Sequence, residues 1–302
     1  MLRCVLLLTV LCLQGCSAIK LGYQQLPTLS YWWLDSSVSF SDAQTPPAKE
    51  ALAQLHRWHR AEELPLYADV FKRLAVQSAE PLQPQQVCSV VSEVDKALDR
   101  TMRKAVSLAA PVAMNLGPEQ LSHLGQHWAS KNQDWEKEWV QGSASERLER
   151  RVSKAVDRYS DFYGSLTPTQ TAMVRAQLQQ SAWTPDWGRR DRLRRHQDLL
   201  AALQKASQSS PSALPQVEAD LWGVWQRWMD PPDAYGRGVI QKLRSQACEN
   251  LAQLHNSATP EQRLRAAADR RCGGRQDRQG DAAAHHGTRH AVAGVSRAAG
   301  AL

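Results

Sequence analysis

The stretch "VCSVVSEVDKALDRTMRKAV", residues 87–106, decides the fold class. Val87, Val91, Val94, Leu98, Met102 and Val106 recur at steps of three or four, which places them on one face of an α-helix. Outward from it the same stripe returns as Leu148, Val152, Val156, Tyr159 and Tyr163, and as Val239, Ile240, Leu243, Ala247, Leu251 and Leu254. No segment shows the period-two alternation and turn pairs of a hairpin. The expected fold is all-α, an irregular multi-helix bundle or array. Helices are expected at 43–63, 65–77, 84–108, 117–140, 144–163, 167–180, 185–206, 214–229, 233–256 and 259–268, with Pro65 interrupting the first long segment. "ASQSSPSALP" (206–215) is the best linker, too short to argue for two domains.

Helix starts share a chemistry. "LQPQQ" (82–86), "LGPEQ" (116–120), "LTPTQ" (166–170) and "ATPEQ" (258–262) each put Pro at the first helical position, where its missing N–H costs nothing, with Gln two residues later. Thr167 and Thr259 are placed to cap, and Gln170 and Gln262 to reach back as in a capping box. Helix punctuation explains the motif. It also resembles the LTxxQ signature of Spy- and CpxP-type periplasmic chaperones. The spacings between the four sites (34, 50 and 92 residues) do not support a strict solenoid.

The amino terminus carries one basic residue, Arg3, then an uncharged apolar core from Val5 to Leu13. This is far short of the ~20 residues of a membrane-spanning helix and has the form of a signal peptide. Leu13, Gly15 and Cys16 resemble a bacterial lipobox, while Gln14 departs from it where a small or aliphatic residue is usual. The resemblance implies three acyl chains on Cys16, and more than one chain gives stable attachment. Ser17, not Asp, follows the cysteine, which favours the outer membrane facing the periplasm. The expected organisation is a signal peptide at 1–15, lipid anchor and tether at 16–40, helical domain at 41–268 and a disordered tail at 269–302.

Removal of residues 1–15, with one Arg and no acid, lowers the formal charge from +7 to +6. The tail holds six Arg and three Asp, so the body carries only a small excess, too little to argue for a nucleic-acid partner. The tail also has eight Ala and six Gly and almost no large apolar residue, so it should be disordered. Its abrupt loss of helical stripe suggests that a frameshift replaced the native end after about residue 268. Cys4 and Cys12 leave with the leader and Cys272 lies in the tail, so Cys88 and Cys248 remain in the body. An oxidising periplasm favours their pairing over two buried free thiols.

Eleven Trp against three Phe is unusual. Trp128, Trp135 and Trp139, Trp222, Trp225 and Trp228, and Trp183 with Trp187 all have helical spacing. Core packing is the plain reading; a partly exposed groove for a peptide, lipid or glycan is the sharper one. Tyr31, Trp32 and Trp33 either plug the first helices or rest at the lipid interface. The plug is favoured because Leu34, Val38 and Phe40 extend the apolar run. His56, His59 and Glu63 share a helix face and form a weak zinc candidate; His123 and His127 are a second pair. "GRRDRLRRH" (188–196) sets Arg189, Arg190, Arg192, Arg194 and Arg195 around one acid, either a solvated face or a site for anionic lipid or an acidic partner.

There is no G-x-S-x-G, no H-E-x-x-H and no phosphate-cradling glycine motif, and no cofactor is expected. "GCSAIKLGY", "PTLSYWWLD", "DAQ", "LHRWHRAEELPLYADVFKRL" and "LAQLHNSATPEQR" together resemble an uncharacterised proteobacterial lipoprotein family over roughly residues 15–267. That resemblance implies an envelope lipoprotein and brings no activity. The expected role is a non-enzymatic binding, scaffold or chaperone-like protein, held to the membrane through Cys16, with an envelope protein, peptide or anionic lipid as ligand. The alternatives are an assembly factor docking through the basic helix and, more weakly, a cell-wall or lipid hydrolase.

Overall fold

The computed structural model describes residues 22–266. The expected signal segment 1–15, the lipidation of Cys16 and the tail 269–302 lie outside the described residues. The order is α1 (Leu26–Val38), α2 (Thr45–Trp58), a π-turn (His59–Glu63), α3 (Leu64–Gln77) and α4 (Pro84–Ala113). Then come α5 (Pro118–Trp139), α6 (Ala144–Tyr163), α7 (Pro168–Gln179), α8 (Pro185–Ser207) and a 3₁₀ turn (Pro211–Ala213). α9 (Leu214–Met229), α10 (Ala234–Asn256) and α11 (260–266) complete the described residues. The fold is all-α, with no strand among the described residues.

Three differences from the sequence expectation have physical causes. Helix α1 falls inside the segment read as a tether. Its aromatic and hydroxyl residues are mediocre helix formers, and it is held by burial of Tyr31, Ser37 and Val38. Pro65 does not interrupt the helical course. The Leu64 N–H bonds the His59 carbonyl, one residue further back than in an α-helix, and the flanking Trp58 and Leu64 keep helical dihedrals. The widened turn absorbs the hydrogen bond that proline cannot make, so 45–77 stays helical without a break. Helix α4 runs through Pro111 to Ala113, and the Asn115 side-chain amide donates to the Pro111 carbonyl at 2.8 Å.

At 30 residues, α4 is about 45 Å long and is the axis of the molecule. Helices α2, α8, α9 and α10 all pack on it. The apolar interior is a string of small clusters, not one core. Ala110, Ala113, Ala206, Val217 and Leu221 join α4, α8 and α9. Tyr163, Val174, Leu254, Ala258 and Ala266 join α6, α7, α10 and α11. Val38, Leu116, Leu121 and Leu124 join α1 to α5. Cys88 and Cys248 are disulfide-bonded with Cα atoms 5.3 Å apart, joining the start of α4 to the end of α10. This is the pairing expected from the two body thiols.

Helix starts interlock in two places. Gln170 and Gln262 exchange amide hydrogen bonds, Nε2 to Oε1 in both directions at 2.8 and 3.0 Å. Each Oε1 also accepts from its own cap residue, Thr167 N–H and Thr259 N–H, both at 2.9 Å. Each Nε2 also donates across the pair, Gln170 to the Ser257 carbonyl and Gln262 to the Ser165 carbonyl. Gln44 and Gln120 repeat the pattern: mutual amide bonds at 3.0 and 2.8 Å, Ser41 N–H and Gly117 N–H donating, Asn115 and Ser39 carbonyls accepting. In every case the donating backbone N–H lies three residues before the glutamine, and the accepting carbonyl lies two residues before the partner's donating N–H. All four hydrogen-bonding positions of each amide are filled.

Candidate functional site

Two polar regions carry the side chains that the sequence singles out. The first lies where the chain enters the body. Tyr23 is buried, its ring 4.6 Å from the His56 ring, and its hydroxyl meets His59 Nδ1 at 3.0 Å. Tyr67, on α3, meets the His59 ring edge-on at 5.5 Å. Burial pushes the Tyr23 phenol up to about 12, so it stays protonated. Burial lowers the pKa of both His56 and His59, so these imidazoles are neutral at pH 7.

Glu63 does not join the two histidines as a metal ligand. Its side chain is 1% exposed, and Arg100 grips both carboxylate oxygens at 2.7 and 2.8 Å, which in turn raises the guanidinium pKa. A carboxylate held by a bidentate arginine and a histidine nitrogen held by a phenol leave no convergent donor set. Among the described residues no group of three His, Cys, Asp or Glu is placed to hold a metal ion, the His123 and His127 pair included. The cluster instead ties three elements together: the entering chain through Tyr23, the π-turn through His59 and Glu63, and α4 through Arg100. The π-turn is what turns His59 and Glu63 towards these different partners.

The second region is the basic first half of α8. Four of its five arginines pair with side chains of the protein. Buried Arg195 pairs with buried Asp191 at 2.7 Å and lies over Trp228 at 4.9 Å. Arg194 pairs with the same Asp191 at 2.7 Å. Arg192 donates to Asn132 Oδ1 at 2.7 Å, and Arg189 pairs with Glu136 at 3.3 Å, both across to α5. Arg190 is exposed and sits 6.0 Å over the exposed Tyr235. Desolvation lowers the pKa of Arg192 and Arg195 without discharging them. Next to them His196 stacks on Trp128 at 4.8 Å, and burial with help from Arg192 and Arg195 pushes it down to about 4.

The Trp222, Trp225 and Trp228 face of α9 is likewise in contact with its neighbours. Arg103 lies 4.0 Å over Trp222, Trp225 Nε1 donates to Asp99 at 2.7 Å, and Arg195 covers Trp228. Trp183 is a buried hub, with Trp135 and Trp139 edge-on at 6.5 and 6.1 Å. Trp135, Trp139, Trp183, Trp222 and Trp228 thus sit in arginine and indole contacts that join α4, α5, α8 and α9. Trp32 and Trp33 do not. Tyr31 plugs the α1–α2 junction, its hydroxyl 2.8 Å from Thr45 Oγ1, whereas the two indoles beside it point out. The plug expected of all three aromatics is made by the tyrosine alone.

Sequence reasoning found the helix-start glutamines but missed their pairing partner Gln44, whose "SDAQ" start lacks the proline that marks the others. Tyr23, Arg100 and Asp191 were missed as organising residues. Asp191, at i+3 and i+4 from Arg194 and Arg195, was the one legible from spacing. No helix among the described residues is long and apolar enough to cross a membrane. Neither a curated protein nor a solved structure matches the chain. Residues 38–229 match the family of unknown function DUF6279, a span that runs from the end of α1 to the end of α9, and the chain belongs to that family.

Proposed function

We propose that this protein is an envelope lipoprotein, anchored through Cys16 to the outer membrane, facing the periplasm, and acting as a binding or scaffold protein and not an enzyme. The observation that carries the reading is the apolar leader ending in Leu13-Gln14-Gly15-Cys16, seven residues before Tyr23 is pinned to the body. The Cys88–Cys248 disulfide supports an oxidising compartment. The interlocked Thr-Pro-x-Gln helix starts, akin in sequence to those of Spy- and CpxP-type chaperones, support a chaperone-like variant of the role. Docking on an envelope partner through the basic helix is disfavoured by the internal engagement of its arginines.

Labelled palmitate should enter the wild-type protein and not Cys16→Ser, and the variant should leave the membrane fraction. Absence of label from the wild type overturns the reading. Suppression of client aggregation by the purified protein tests the chaperone-like variant separately.

A further inference from the structure

Helix α1 shows two faces of opposite character. Tyr31, Ser37 and Val38 are buried on one. On the other, Leu29, Trp32 and Trp33 are 49%, 62% and 68% exposed, continued by exposed Thr28 and Ser36. These positions form one stripe at helical spacing, and none bears a charge. Asp35, the one acidic residue of α1, borders that stripe and is half-buried, its carboxylate accepting from the Phe40 N–H at 2.9 Å. The indoles are not a loose end awaiting the core, because Tyr31 and Thr45 lock the opposite face at 2.8 Å. Two adjacent exposed tryptophans are costly in water and are the side chains that favour the head-group level of a bilayer.

Chain length says which surface lies near them. On the lipoprotein reading, on which this inference rests, Cys16 is held at the membrane. Among the described residues Tyr23 is the first side chain pinned to the body, and seven residues span at most about 25 Å. Helix α1 begins three residues later and, at 13 residues, is about 20 Å long. Its exposed stripe therefore cannot move far from the lipid surface.

We propose that the Leu29, Trp32 and Trp33 face of α1 lies in the head-group layer of the bilayer that holds Cys16. This second contact fixes the orientation of the helical body, which the acyl chains alone leave free to swivel. The stripe itself carries no charge, so the contact does not require anionic lipid.

The test reconstitutes the full acylated chain into phosphatidylcholine vesicles whose acyl chains are brominated near the head-group end, and reads quenching of tryptophan emission. The wild type should be quenched. Trp32→Gln/Trp33→Gln should lose most of that quenching while keeping its palmitate, circular dichroism and thermal midpoint. Equal quenching of the two proteins, or none in an acylated wild type, overturns the proposal. So does self-association that depends on Trp32 and Trp33 without bromolipid quenching, which would assign the face to a second copy. A chain that takes no palmitate overturns the anchor reading instead. If that chain is nevertheless quenched through Trp32 and Trp33 when vesicles are added, the lipid contact stands on its own.

Discussion

The two glutamine clasps differ in burial and not in bonding. Gln170 and Gln262 are 3% and 7% exposed. Gln44 and Gln120 make the same bonds in partial contact with water. A capping box ordinarily satisfies one helix end; here each glutamine caps its own helix and one carbonyl of its partner's preceding turn. The difference shows that an amide pair able to close a hydrogen-bond ring can join helix starts at the surface or inside. What burial adds is the penalty for breaking it, since water can replace the lost bonds only at the exposed clasp.

The largest expected effect is on the side of the buried clasp, because Cys248 lies on the helix that leads into it. Cys88→Ala/Cys248→Ala should lower the unfolding free energy by up to ~5 kcal/mol on the chain-entropy account. Denaturant titration measures the loss, and hydrogen exchange should accelerate first in α10 and α11. Uniform acceleration across both clasps would break the comparison. Next, Gln170→Ala or Gln262→Ala should cost about 2–3 kcal/mol, since each strands a buried amide and a backbone carbonyl. Non-additivity in the double variant would verify that they act as one unit.

Acid acts on the other side, where His196 packs against α5. Its folded pKa lies below the unfolded value of 6.5, so the unfolded chain binds more protons between the two. Stability should be full above pH 6.5, fall as pH drops towards about 4, and level off below that. Allowing for partial exposure, the loss is roughly 1–2 kcal/mol. Thermal midpoints against pH for wild type and His196→Phe measure it; an equal acid response in both assigns the slope elsewhere. The smallest effect is at the exposed clasp: Gln44→Ala or Gln120→Ala should cost about 1 kcal/mol. A cost equal to that at Gln170 would mean that burial is not what separates the clasps.

Local chemistry was legible in the sequence and tertiary partnership was not. The apolar stripe from Val87 to Val106 and the proline-glutamine starts placed ten helices close to where they stand, because both signals are written in neighbouring residues. The α1 helix was invisible for the opposite reason: "TLSYWW" has poor intrinsic propensity, and burial against α2 and α5 makes it helical. The basic run on α8 looked like a surface because Asn132 and Glu136, which meet it, stand about sixty residues away in the chain. Glu63 looked like a ligand for the same reason; the arginine that grips it is 37 residues downstream.

The Cys88–Cys248 bond also has a mechanical meaning. A protein tethered at one end and gripped at the other feels tension along its backbone, and a cross-link diverts that tension around everything between its sulfurs. With the two cysteines 160 positions apart in sequence, some 500 Å of extended chain is taken out of the force path. Pulling can unravel the entry helices and the last turns, while α5 to α9 remain folded behind the bypass.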